Sequence, residues 1–140
     1  DEDGCTPLWF AAAARGYVDA MKLLLKYKAD VDKARETGAT PLYVAAAKGN
    51  TAAMKLLLAH GAQPDKADND GWTPFCIAAS FGQPAAARLL LARLPAAAIN
   101  TTRGVAKRTA LHFAATEGFC FDDGQLVAHG HEFFRNCWPK

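Results

Sequence analysis

The phrase AMKLLL occurs twice verbatim in this chain, at residues 20–25 and 53–58, and a third version, AARLLL, occupies 86–91. Ahead of each lies a second shared phrase: GCTPLWFAAAARG at 4–16, GATPLYVAAAKG at 38–49, GWTPFCIAASFG at 71–82 and, more loosely, KRTALHFAATEG at 107–118. The threonines that anchor these phrases, Thr6, Thr40, Thr73 and Thr109, are spaced 34, 33 and 36 residues apart. A period near 33 with two apolar phrases per unit constrains the fold more than any composition does. No unit of that size buries its own apolar face, so the units must stack, each covering the next.

Each phrase reads as a helix. The four threonines suit the N-cap position, where a hydroxyl accepts from an orphan backbone N–H. Pro7, Pro41 and Pro74 follow at the first helical position, where a missing N–H costs nothing. In the second unit Leu42, Ala45 and Ala46 share one helical face, and the alanines let a neighbouring helix approach closely. Gly16, Gly49, Gly82 and Gly118 stand where a left-handed residue ends the first helix. Met54, Leu57 and Leu58 make the apolar stripe of the second helix, with Lys55 outside; Pro84 opens the matching helix of the third unit, and Gly61 closes that of the second.

The stretch GATPLYVAAAKGN…MKLLLAHGA resembles the ankyrin repeat, G-x-TPL-H-x-A-A-x-x-G followed by LL-x-x-GA. The resemblance covers essentially the whole chain as a single domain of four units, approximately 1–34, 35–67, 68–102 and 103–136, with 137–140 as a tail. It implies an all-α solenoid of stacked helix-turn-helix repeats joined by β-hairpin-like loops. It also implies a non-catalytic role in binding another protein, through the hairpin tips and the concave face of the first helices. The slots that resemble the family's contact positions hold Glu36, Thr37, Lys48, Asn69, Asp70, Ser80, Arg108, Thr116 and Glu117, a mixed-charge set that suggests a polar rim.

Two aromatics fall among them. Trp72 occupies the turn slot that holds Cys5, Ala39 and Arg108 in the other units, and Phe81 occupies the slot of Lys48 and Glu117. Slots with such unrelated or charged occupants are expected to meet solvent. Both aromatics are therefore expected on display in one patch, as anchors for a partner.

The departures from the pattern carry their own expectations. The family's histidine after TPL appears only as His112, its slot being held elsewhere by Trp9, Tyr43 and Cys76, of which Tyr43 can still donate through its hydroxyl. Unit one has one extra alanine, which predicts a bulge or early unwinding within residues 11–16. Three extra residues separate units three and four, with Pro95 ending a helix and Gly104 serving a lengthened turn. In unit four FDDGQLV replaces the AMKLLL phrase, so its second helix is expected to start late, capped by Asp122 or Asp123, with Leu126 and Val127 as its apolar pair. Phe133, Phe134 and Trp138 are expected to fold back on that helix pair. Unit one carries Trp9, Phe10 and Tyr17 with no polar cap ahead of it, which predicts further repeats or another domain before Asp1.

Other functions find little support in the residues. The chain has 140 residues, 51% of them apolar, which is enough for one continuous core. No apolar run approaches the ~20 residues of a membrane span. Sixteen basic and 14 acidic residues are dispersed to a net charge of +2, and Arg103, Lys107 and Arg108 read as a solvated loop; no nucleic acid and no membrane insertion are expected. Cys5, Cys76, Cys120 and Cys137 form no CxxC pair and read as reduced thiols, favouring an intracellular setting. His129, His131, Glu132 and Cys137, with Cys120 and Asp122 upstream, lack a standard zinc spacing and read as tail. No catalytic residue, metal, cofactor or small-molecule substrate is expected. The leading function is an interaction scaffold. The alternatives are a regulatory segment of a larger enzyme or channel, and a metal- or redox-responsive tail.

Overall fold

The computed structural model describes residues 4–94 and, beyond them, the backbone of four short strands within 102–128. Six helices come in three pairs: α1 (Pro7–Ala13) with α2 (Val18–Lys26), α3 (Pro41–Lys48) with α4 (Thr51–Ala59), and α5 (Pro74–Ser80) with α6 (Pro84–Leu91). Each first helix starts in the same way. The hydroxyl of Thr6 accepts from the N–H of Trp9 at 3.2 Å, that of Thr40 from Tyr43 at 3.1 Å, and that of Thr73 from Cys76 at 3.2 Å, with proline next in line. Three orphan donors are thereby satisfied locally, two of them inside the buried stack.

Helix ends separate the units. α3 closes on Gly49 in the left-handed region (φ 65°, ψ 26°), and Gly82 has φ 63° just past α5. α1 stops at Ala13, and Ala14 is extended (φ −102°, ψ 131°) even though unit one holds one more residue before its glycine. The insertion is thus absorbed by early unwinding, within the segment where the sequence placed it. Carbonyls freed there do not stay bare: the side-chain amide of Asn50, itself the N-cap of α4, donates to Ala12 at 3.1 Å and Ala14 at 3.3 Å.

α1, α3 and α5 pack side by side in one layer, and α2, α4 and α6 in a second, with each pair also packed across the layers. One apolar core runs through the stack. Leu42, Ala45, Ala46, Met54 and Leu57 are fully buried in unit two, as are Ala78, Ala79, Ala86, Ala87 and Leu90 in unit three. The alanines permit the close approach, and Leu57 and Leu90 supply the burial, about 1.5–3 kcal/mol for each such side chain. Cys76 is fully buried as well.

The fourth unit departs from expectation. β1 (Thr102–Arg103) pairs antiparallel with β2 (Arg108–Thr109). Further on, β3 (Phe119–Asp122) pairs antiparallel with β4 (Gln125–Ala128), so Leu126 and Val127 stand in a strand and the late helix capped by Asp122 or Asp123 is not formed there. The physical reason is local. Asp122↔Gln125 is the closing register pair, which leaves Asp123-Gly124 as the two-residue connection. Asp-Gly between β-prone residues such as Phe119, Phe121, Leu126 and Val127 is a strong hairpin signal. The expected helix after Thr109 and the folding-back of Phe133, Phe134 and Trp138 lie outside the described residues.

Candidate functional site

Each unit is joined to the next by a tight turn whose tip is left exposed. Between units one and two, Arg35 N–H bonds Ala39 O at 3.1 Å and Gly38 N–H bonds Arg35 O at 2.9 Å, with Glu36 and Thr37 at the tip. Between units two and three, Asp68 N–H bonds Trp72 O at 2.9 Å and Gly71 N–H bonds Asp68 O at 3.0 Å, with Asn69 and Asp70 at the tip. The Asp68 carboxylate stiffens this turn by accepting from the N–H of Asp70 at 3.0 Å and of Trp72 at 2.8 Å.

The tips are tied to one another. Asn69 N–H bonds Thr37 O at 3.0 Å, and its side-chain amide donates to Glu36 O at 2.7 Å. Gly38, with φ 83°, lies so close beneath that a Cβ there would come within 2.7 Å of the Asn69 nitrogen. Glycine is required at that position by both conformation and space.

The slot after TPL provides a second tier of ties. Trp9 donates its indole N–H to Ala39 O of the next unit's turn at 3.1 Å, and the Arg35 guanidinium carbon lies 5.2 Å from the Trp9 ring centroid. Tyr43 reaches the following turn in the same sense, donating its hydroxyl to Asp68. Burial first, then this hydrogen bond and the Asp68 charge, push Tyr43 well above its ordinary pKa of 10. Cys76 serves its own unit, accepting from the Thr73 hydroxyl at 3.2 Å. The absence of histidine from three units therefore leaves their turns bonded.

Of the residues singled out by sequence, Glu36, Thr37, Asn69 and Asp70 form the exposed tips, Lys48 is exposed at the end of α3, and Ser80 is half-buried at the end of α5. Phe81, the C-cap of α5, is 62% exposed, as expected for a displayed aromatic. Trp72 is less exposed than expected: it is half-buried and packs against the core cluster. Arg108 stands in β2 opposite Arg103; its side chain, Thr116 and Glu117 lie outside the described residues, as do His129, His131, Glu132 and Cys137. Sequence reasoning missed Asn50 and Asp68, whose side chains hold the joints. Their signals were an Asx residue directly before a helical phrase and one opening a D-x-D-G turn.

Among the described residues no group of three or more His, Cys, Asp or Glu side chains gathers to hold a metal, and no helix is long and apolar enough to cross a membrane. Cys5 and Cys76 are free thiols.

Helix pairs stacked in register and joined by turns with exposed tips define a helical repeat scaffold. The family profile described as ankyrin repeats (3 copies) matches residues 8–103 and again 60–133, and the chain belongs to the ankyrin-repeat family. None of the curated proteins matches it. Ankyrin repeats are generally protein–protein interaction modules and typically non-catalytic.

Proposed function

We propose that this chain is a non-catalytic scaffold that binds another protein along its row of turn tips and first-helix ends, with Phe81 as the apolar anchor and Glu36, Thr37, Lys48, Asn69, Asp70 and Ser80 as the polar rim. Arg108, Thr116 and Glu117 continue the same slots into the fourth unit. The observation that carries the reading is the tie of Asn69 to the carbonyls of Glu36 and Thr37. It fixes neighbouring tips relative to one another and leaves the side chains of Glu36, Thr37 and Asp70 facing solvent, so little ordering cost remains when a partner lands. Phe81, exposed at the C-terminal end of α5, offers the kind of large apolar side chain that anchors an interface centre. Trp72, half-buried against the core, contributes at its turn more through packing than as a displayed anchor.

The test is an affinity capture with the full chain, its Phe81→Ala and Glu36→Ala/Asp70→Ala variants, and a Trp72→Ala control, each with a thermal melt. The reading requires the Phe81 and tip variants to lose the captured protein with unchanged melting, and Trp72→Ala to lower the melting temperature. Capture undiminished in the Phe81 and tip variants would refute it.

A further inference from the structure

Of the five exposed large apolar side chains among the described residues, Phe10 lies on α1, Leu23 on α2, and Tyr17 and Tyr27 cap α2, which leaves only Phe81 elsewhere. Tyr27 is the C-cap of α2, directly after its last helical residue. An open groove of about 500 Å³ is lined entirely by unit one, including Pro7, Phe10, Ala14, Tyr17, Ala20 and Leu24.

The repeat supplies the comparison that interprets this face. Position for position, Pro7 corresponds to Pro41 and Pro74, Phe10 to Val44, Ala20 to Ala53 and Ala86, and Leu24 to Leu57 and Leu90. In units two and three these residues are buried, Ala53, Ala86, Leu57 and Leu90 completely, and Ile77, the third-unit counterpart of Phe10, is half-buried. In unit one Pro7, Phe10 and Ala20 are exposed and Leu24 is only half-buried.

The direction of the face follows from a second position. Asn50, in unit two, sends its amide back to the end of α1. Gln83, its counterpart in unit three, lies back against Gly49 at the end of α3. Tyr17 is the counterpart in unit one, and it is 58% exposed at the groove. So this position points towards a preceding unit wherever one is present.

We propose that the unit-one face carrying Pro7, Phe10, Tyr17, Ala20 and Leu24 seats one more helix pair of the same repeat type, joined on the N-terminal side in the same polypeptide and stacked as α1 and α2 stack on α3 and α4. The established stacking interface continues onto this face with the same residue types in the same register. The joint is of the interior kind too: Asp1-Glu2-Asp3-Gly4-Cys5-Thr6 repeats the pattern of Asp68-Asn69-Asp70-Gly71-Trp72-Thr73, which links units two and three. Tyr17 meets the end of the added pair's first helix, where Asn50 meets that of α1.

A copy of residues 35–67 grafted directly ahead of Asp1 reproduces the joint between units two and three, and the full chain with and without this graft tests the proposal. The expected result is a single denaturant transition with a higher midpoint and a larger m-value. Amide exchange in α1 and α2 slows by roughly tenfold or more, and Tyr17 loses its reactivity to a tyrosine-modifying reagent. Ala20→Glu, harmless in the ungrafted chain, cancels these gains in the grafted one. A separate, weaker transition for the graft with unchanged exchange in α1 and α2 overturns the proposal. So does self-association of the ungrafted chain that Ala20→Glu abolishes, because the face then belongs to a second copy.

Discussion

The side-chain amide of Asn50 spans two repeat units, donating to Ala12 O at 3.1 Å while its oxygen accepts from the N–H of Ala53 at 3.3 Å. One buried side chain thereby starts α4 and closes the unwound end of α1. Asn50→Ala leaves the carbonyls of Ala12 and Ala14 and the N–H of Ala53 without that partner. Chemical denaturation is expected to show a loss of about 2–4 kcal/mol, combining a lost cap with buried unsatisfied groups. Asn50→Asp keeps the cap acceptor but faces a carboxylate towards carbonyl oxygens. It is expected to be at least as costly at neutral pH and to recover part of the loss when acid restores a donor.

Tyr43 gives the fold a sensitivity to alkali. Its pKa is raised in the folded chain by burial and by Asp68, so above its ordinary value of 10 the unfolded chain gives up a proton that the folded chain keeps. Stability from this pair is complete below pH 10 and falls as pH rises above it. Denaturation midpoints taken across that range should decline less steeply for Tyr43→Phe than for the parent. An ultraviolet titration of the folded parent should contain a late tyrosinate step that the variant lacks.

Gly38 and Gly61 have nearly the same backbone, φ 83° and φ 87°, in different surroundings. A Cβ on Gly61 meets nothing within 4 Å, whereas one on Gly38 runs into the backbone and side chain of Asn69. Gly61→Ala should cost about 1 kcal/mol from conformation alone. Gly38→Ala should cost more, and the excess measures the steric part. Loss of protection at the Asn69 amide, followed by hydrogen exchange, would locate that excess at the joined tips.

Leu57 and Leu24 occupy the same place in successive units, one sealed and one half-open. Leu57→Ala should cost about 2–5 kcal/mol as an internal cavity. Leu24→Ala should cost about 1 kcal/mol, since less of its surface leaves water on folding. Equal losses in paired urea titrations would mean that Leu24 is packed as tightly as Leu57.

Much of this architecture was readable from residue identities because each unit restates the same local instructions. Thr40-Pro41 says where a helix starts, as Thr6-Pro7 and Thr73-Pro74 do in their units, and Gly49 says where one stops. The extra alanine of unit one was legible for the same reason, as a break in a rhythm. What escaped was whatever depended on a neighbouring unit. Trp72 reads as solvent-facing when its slot is compared with Cys5 and Ala39, yet its indole lies against the core. Asn69 reads as a contact residue, while its amide is already engaged by Glu36. The pair β3–β4 shows the opposite failure: Asp123-Gly124 is a local hairpin signal that alignment to the repeat passes over.

The place where α1 ends, at Ala13, has a wider consequence. A surplus residue kept behind the last helical turn leaves the side-by-side fit of α1 against α3 untouched, so miscounts in chain length are quarantined at the corners. That is how an interval of 34 residues from Thr6 to Thr40 occurs beside one of 33 from Thr40 to Thr73. Insertions and deletions at such corners are the changes this architecture forgives, while the same change one turn earlier would rotate a whole contact face out of phase.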